Sequence, residues 1–222
     1  MAQADRVTST DYAHPKRPAA VRLYNAAGAW RKPARFDIDA LLDAARRATG
    51  LTDYGDPFFL APLAVLIDSI DREARLHAFG RTIVQARLVG MLENRLRAEQ
   101  IVRDYPTIEA TPIARPIVIA GLQRTGTTLL QRLLAADPRS RALLSWEALR
   151  PVPLPGEGRT GSLRRRAAGK LAQVALARIA PEFFAVHPVE ADAPEEDILL
   201  LDHSFTSQAS EAVMHVPTYA AW

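Results

Sequence analysis

A continuous β-branched run, Pro116-Ile117-Val118-Ile119-Ala120, stops at Gly121 and gives way to the helically spaced stripe Leu129, Leu130, Leu133 and Leu134. This change of period constrains the chain more than any other feature. A strand that is apolar on both faces belongs inside a parallel sheet flanked by helices. Proline is tolerated at a strand's first residue, so Arg115-Pro116 fits the start of that strand. The expected fold class is α/β, built around a P-loop-like strand–turn–helix unit over 116–136. A second strand is expected over Ala142-Leu143-Leu144-Ser145-Trp146. Two strands make an incomplete parallel sheet, because sheets usually have about four or more.

The turn reads Gly121-Leu122-Gln123-Arg124-Thr125-Gly126-Thr127-Thr128. Two glycines five apart, after a strand and before a helix, form a cradle for an anion. The first N–H groups of a helix have no intrahelical partner, and the helix dipole favours negative charge beside them. Thr127 and Thr128 add hydroxyl donors, and Arg124 adds a permanent cation. The nucleotide-hydrolysing P-loop, G-x-x-x-x-G-K-[ST], has the same glycine spacing. Here its lysine slot holds Thr127, and the cation sits earlier, at Arg124. The pattern points to a phosphate ligand without a triphosphate–magnesium reaction. A P-loop nucleotide kinase or hydrolase remains an alternative, as does a non-catalytic helical interaction module.

Residues 1–35 show little periodicity and are expected to form an extended arm. A helical region is expected over 36–108. Asp37 or Asp39 caps a helix ended by Gly50, and Asp56-Pro57 opens a second with Leu60, Leu63, Leu66, Ile67 and Ile70 inward. A longer helix carries Val84, Leu88, Met91, Leu92 and Leu96 and stops at Pro106. In the α/β region, 109–222, a helix is expected over Leu163–Ile179 and another starting at Pro194, with Glu195, Glu196 and Asp197 in its first turn.

Charge divides this last region. Residues 115–166 hold ten arginines against three acids, whereas 181–222 hold eight acids and no Lys or Arg. The pattern fits two faces that attract each other, or a basic centre for an anionic ligand. The net charge of +3 does not by itself point to nucleic acid, and no partner of that kind is expected. There is no cysteine, and the five histidines lack H-x-x-x-H spacing, so no metal site is expected. No segment has the length of a membrane span, and a cytoplasmic location is expected.

The loop Gly121–Thr128, with Ser145-Trp146-Glu147 after it, resembles the bacterial sulfotransferase family. Leu51-Thr52-Asp53-Tyr54-Gly55-Asp56, His187-Pro188, Glu195-Glu196-Asp197 and His203-Ser204-Phe205 look like that family too, so the resemblance runs from about residue 36 onward. It implies sulfuryl transfer from 3′-phosphoadenosine 5′-phosphosulfate to an acceptor hydroxyl or amine. The acceptor class, whether small molecule, lipid or carbohydrate, stays open. By this resemblance Gly121, Gln123, Arg124, Thr125, Gly126, Thr127 and Thr128 bind the 5′-phosphosulfate. Gln123 stands where the family usually has proline. Glu147, after a strand end, is the implied base, with His187 and His203 as alternatives. The family's Lys-Ser-Pro and His-Arg-Asp-Pro segments, which hold the 3′-phosphate, do not appear in the sequence. The resemblance therefore implies the front half to two-thirds of such an enzyme, an incomplete or inactive fragment being one form of it.

Overall fold

The computed structural model describes residues 15–30, 33–122, 125–157, 162–187 and 189–222. The helical region follows its sequence signals closely. Helix α1 spans Ala19–Gly28 and α2 spans Ile38–Thr49. The Asp37 carboxylate accepts from the N–H of Ala40 at 3.0 Å, and Gly50 ends α2 at φ 71°. Asp56 accepts from the N–H of Phe58 at 2.9 Å and opens a short 3-10 turn, Pro57–Phe59, that leads into α3 (Leu60–Arg72). The long helix α4 (Ala78–Asp104) ends just before Pro106.

Helix α4 packs along α2, and its inward stripe meets α3 in one core. Leu63, Leu66, Leu88, Leu92 and Leu96 are wholly shielded. Burying a leucine fully stabilises the fold by roughly 1.5–3 kcal/mol, so this cluster is the chief source of stability. Tyr54 joins it with its hydroxyl satisfied by the Leu42 carbonyl at 2.7 Å.

Seven shorter or more peripheral helices follow: α5 (Thr127–Ala135), α6 (Ser145–Leu149), α7 (Ser162–Ile179), α8 (Phe183–Val186), α9 (Ile198–Asp202), α10 (Ala209–Val213) and α11 (Pro217–Ala221). The chain's last segment returns to the first core. Phe205, Val216 and Tyr219 enter it, and the Tyr219 hydroxyl donates to the Phe205 carbonyl at 2.6 Å. Asp202 pairs with Arg87 of α4 and accepts from Ser207 at 2.9 Å.

The described residues differ from the sequence expectations at four places. Part of the expected extended arm is helix α1. Its alanines favour helix, Val21 is buried, and Asn25 accepts from the N–H of Phe79 at 2.9 Å. Among the described residues there is no strand. Residues 116–121 have no ladder partner, and Ile117 and Val118 stand 68% and 81% exposed. A β-segment gains its hydrogen bonds only from neighbours, and among the described residues this apolar run has none. The second expected strand makes a single antiparallel bridge, Leu144 to Pro194, and then turns helical at Ser145. Glu147 causes that turn: its carboxylate accepts from the N–H of Leu144 at 3.0 Å. Finally, Pro194 does not begin a helix. It lies in that bridge, and Glu195 donates its N–H to the Leu143 carbonyl at 2.9 Å, so α9 starts only at Ile198.

Candidate functional site

The turn before α5 closes on itself. Gly126 has φ 92°, a conformation that costs an L-residue with a Cβ about 1–2 kcal/mol, and from there the chain enters the helix. The N–H of Leu130 donates to the Gly126 carbonyl at 3.0 Å, the first bond of α5. Thr125 donates its hydroxyl to the Leu122 carbonyl at 2.6 Å. A Cβ at Gly121 would lie 2.9 Å from Thr127 Cγ2 and 3.1 Å from Thr125 Oγ1. Only glycine leaves room there for two threonines to fold over the backbone. The structure thus brings together Gly121, Thr125, Gly126 and Thr127. Gln123 and Arg124 lie outside the described residues.

Among the described residues, no carbonyl accepts from the N–H of Thr125, Gly126, Thr127 or Thr128. Such donors at the N-terminal end of a nine-residue helix, where the dipole favours negative charge, suit a phosphate or sulfate group.

An acidic segment lies against α5. Thr128 donates its hydroxyl to Glu196 Oε1 at 3.4 Å. One turn along, Gln131 donates to the Glu195 carbonyl at 2.8 Å, and Arg132 pairs with Glu190 at 3.0 Å. Arg166 pairs with Asp192 at 2.5 Å and Lys170 does so at 3.1 Å. The basic and acidic halves of this region therefore meet in contact, as the charge pattern allowed. Glu195 is buried, with the N–H of Glu196 donating to it at 3.0 Å and His187 Nε2 at an ion-pair separation of 3.7 Å. Burial works to raise its pKa, but His187, that N–H and Ser145 outweigh it and hold the carboxyl below its usual range. The Glu195 carboxylate in turn raises the pKa of His187, with Glu196 adding to the effect and burial and Arg132 opposing it. The sequence motif Glu195-Glu196-Asp197 flagged this segment, but not its contact with α5. Gln131 and Arg132, the two polar residues between the leucine pairs 129–130 and 133–134, were the available signal.

Glu147 belongs to α6, and both of its oxygens are engaged: Oε1 by Arg141 at 2.8 Å and Oε2 by the N–H of Leu144 at 3.0 Å. Among the described residues no contact joins it to the turn. His203 sits deeper. Its Nε2 lies 2.9 Å from the Ala148 carbonyl, which can only accept, so Nε2 carries the proton. Nδ1 is buried without a partner among the described residues, and burial pushes the imidazole's pKa down. His203 borders a cleft of about 170 Å³, shared with Asn94, Arg95 and Glu99 of α4 and with Pro151 and Val152. Among the described residues, no cluster of His, Asp and Glu suits a metal ion, and no helix is long and apolar enough to cross a membrane.

Residues 116–222 match the model of a sulfotransferase family. The chain is also similar to the crystal structure of sulfotransferase STF1 from Mycobacterium tuberculosis H37Rv. That likeness has 32% identity and a TM-score of 0.65, and it covers 86% of this chain and 53% of that one. Sulfotransferase STF9 from Mycobacterium avium is similar at 27% identity and a TM-score of 0.70, over 85% of this chain and 50% of that one. No curated protein matches the sequence. The family match over residues 116–222 and the two structural likenesses agree in making this chain similar to bacterial sulfotransferases. It spans about half the length of the two sulfotransferases it resembles.

Proposed function

We propose that the chain is the donor-binding part of a sulfotransferase that moves a sulfuryl group from 3′-phosphoadenosine 5′-phosphosulfate to an acceptor hydroxyl or amine. The observation that carries this reading is the turn Gly121–Thr127, curled on itself at the head of α5 with its N–H donors unclaimed by described carbonyls. The donor, when bound, supplies an activated sulfuryl group whose transfer shifts negative charge onto the leaving phosphate. The N–H groups of Thr125 to Thr128 and the hydroxyls of Thr127 and Thr128 hold that phosphate, and Arg124 with Gln123 completes the grip. Fixed donors aimed at developing charge are the largest single contribution in reactions of this kind. Glu147 takes the acceptor's proton in this reading. Arg141 and the N–H of Leu144 engage its two oxygens, so accepting a proton costs it one of these partners.

The segment 116–121 is, in the same reading, one strand of an open parallel sheet. Ile117 and Val118 are both exposed, and successive apolar residues of this kind suit a strand covered on both sides once its neighbours are present. The acceptor is a small molecule, a lipid or a carbohydrate. A nucleotide donor and the lack of cysteine fit a cytoplasmic reaction. One observation favours a second reading, a helical interaction module: no strand occurs among the described residues.

Calorimetry with adenosine 3′,5′-bisphosphate, the desulfated donor, separates the two. The donor reading expects saturable binding that Arg124→Ala weakens by at least tenfold, since a charged hydrogen bond is worth about 1.5–3 kcal/mol. Binding unaffected by Arg124→Ala overturns the loop assignment, and a folded chain that binds no nucleotide favours the helical module.

A further inference from the structure

Glu196 is the acidic side chain that touches the first turn of α5, through its 3.4 Å contact with the Thr128 hydroxyl. Three anchors fix the backbone that carries it. Gln131 donates to the Glu195 carbonyl, Arg132 pairs with Glu190, and the Glu195 carboxylate is buried against the N–H of Glu196. The Glu196 side chain itself is exposed. Thr128 is in the first turn of α5, where the phosphate of the donor is placed by the reading above, on which this inference rests. A phosphate that takes the Thr128 hydroxyl must displace this carboxylate or bind beside it.

We propose that Glu196 is a built-in competitor for the donor's phosphate. In the donor-free protein its carboxylate occupies the Thr128 hydroxyl and lends negative charge to the helix end. Donor binding turns it away, so its charge sets how tightly the nucleotide is held. The other acids nearby do not share this part. Glu195 is engaged by His187 and by the N–H of Glu196, Glu190 is paired with Arg132, and Asp197 has no described contact with α5. Coulomb's law at water's dielectric constant gives roughly a tenfold effect for a unit charge facing a doubly charged phosphate about 6 Å away.

The test is calorimetry of adenosine 3′,5′-bisphosphate against the full chain, Glu196→Gln and Glu211→Gln, at about 50 mM and about 500 mM salt. Glutamine keeps the shape and a hydrogen-bonding oxygen but removes the charge. Glu211 is an exposed acid on α10, so its variant makes the same change in net charge elsewhere. We expect Glu196→Gln to bind about tenfold tighter at low salt, with the gap narrowing at high salt and Glu211→Gln matching the wild type. Equal or weaker binding by Glu196→Gln overturns the competitor role while leaving the donor reading intact. The same gain in Glu211→Gln also overturns it, because the effect would then be net charge alone. If none of the three proteins binds, the donor reading itself fails and the competitor role falls with it.

Discussion

The bundle of α2, α3 and α4 and the unit at 116–136 carry equally clear apolar patterns, yet they end in opposite states. Leu63 and Leu92 of the bundle are 0% exposed, whereas Leu133 of α5 is 63% exposed. The difference lies in where each stripe's partner sits in the chain. Helices α2 to α4 find one another within about seventy residues, with local start signals at Asp37 and Asp56 and a stop at Gly50. The run at 116–120 asks for parallel neighbours on both sides, and the described residues contain none. An apolar stripe specifies which face must pack; a partner within reach decides whether it does.

The comparison breaks first at the bundle. Leu92→Ala is expected to cost about 3–5 kcal/mol in urea denaturation, since it opens a cavity in a fully shielded core. A cost under about 1 kcal/mol would mean that the bundle is no better packed than α5. A smaller effect sharpens the account of how the chain's end is held. Ser69 and Thr218 hydrogen-bond the Glu73 carboxylate, tying α11 to α3 and holding the pKa of Glu73 down to about 2. A depressed carboxylate stabilises the fold above its unfolded value near 4.5 and loses that contribution as pH falls through about 2. Stability is therefore expected to drop across this acid window, and Glu73→Gln is expected to flatten that part of the profile. An unchanged profile would show that the α11 contact does not depend on this charge. The smallest effect belongs to Leu133→Ala, expected to stay within about 0.5 kcal/mol of wild type in the same denaturation assay. A loss as large as that of Leu92→Ala would show that α5 is packed after all.

The helical region was legible because its signals are local. Capping side chains, Asp-Pro and the terminating Gly50 and Pro106 act within one turn, and the heptad-like leucines pack against near neighbours. The strands were not, because pairing is non-local: β-branched residues at 117–119 make a strand possible but do not supply its partner. At 144 a local competitor won, when Glu147 captured the Leu144 N–H and started α6. Of the candidate site, the turn's glycines were legible. Gly121 is where a Cβ would collide with the threonines, and Gly126 has a positive φ. The contact of Glu196 with Thr128 was hidden, since 68 residues separate the two and nothing periodic links them.

Amide hydrogen exchange with and without adenosine 3′,5′-bisphosphate tests the central claim most directly, because it reports on both regions at once. Slowing confined to residues 121–130, with α3 and α4 unchanged, is the predicted result. Slowing within α3 and α4 that leaves 121–130 untouched would contradict an anion site at the head of α5.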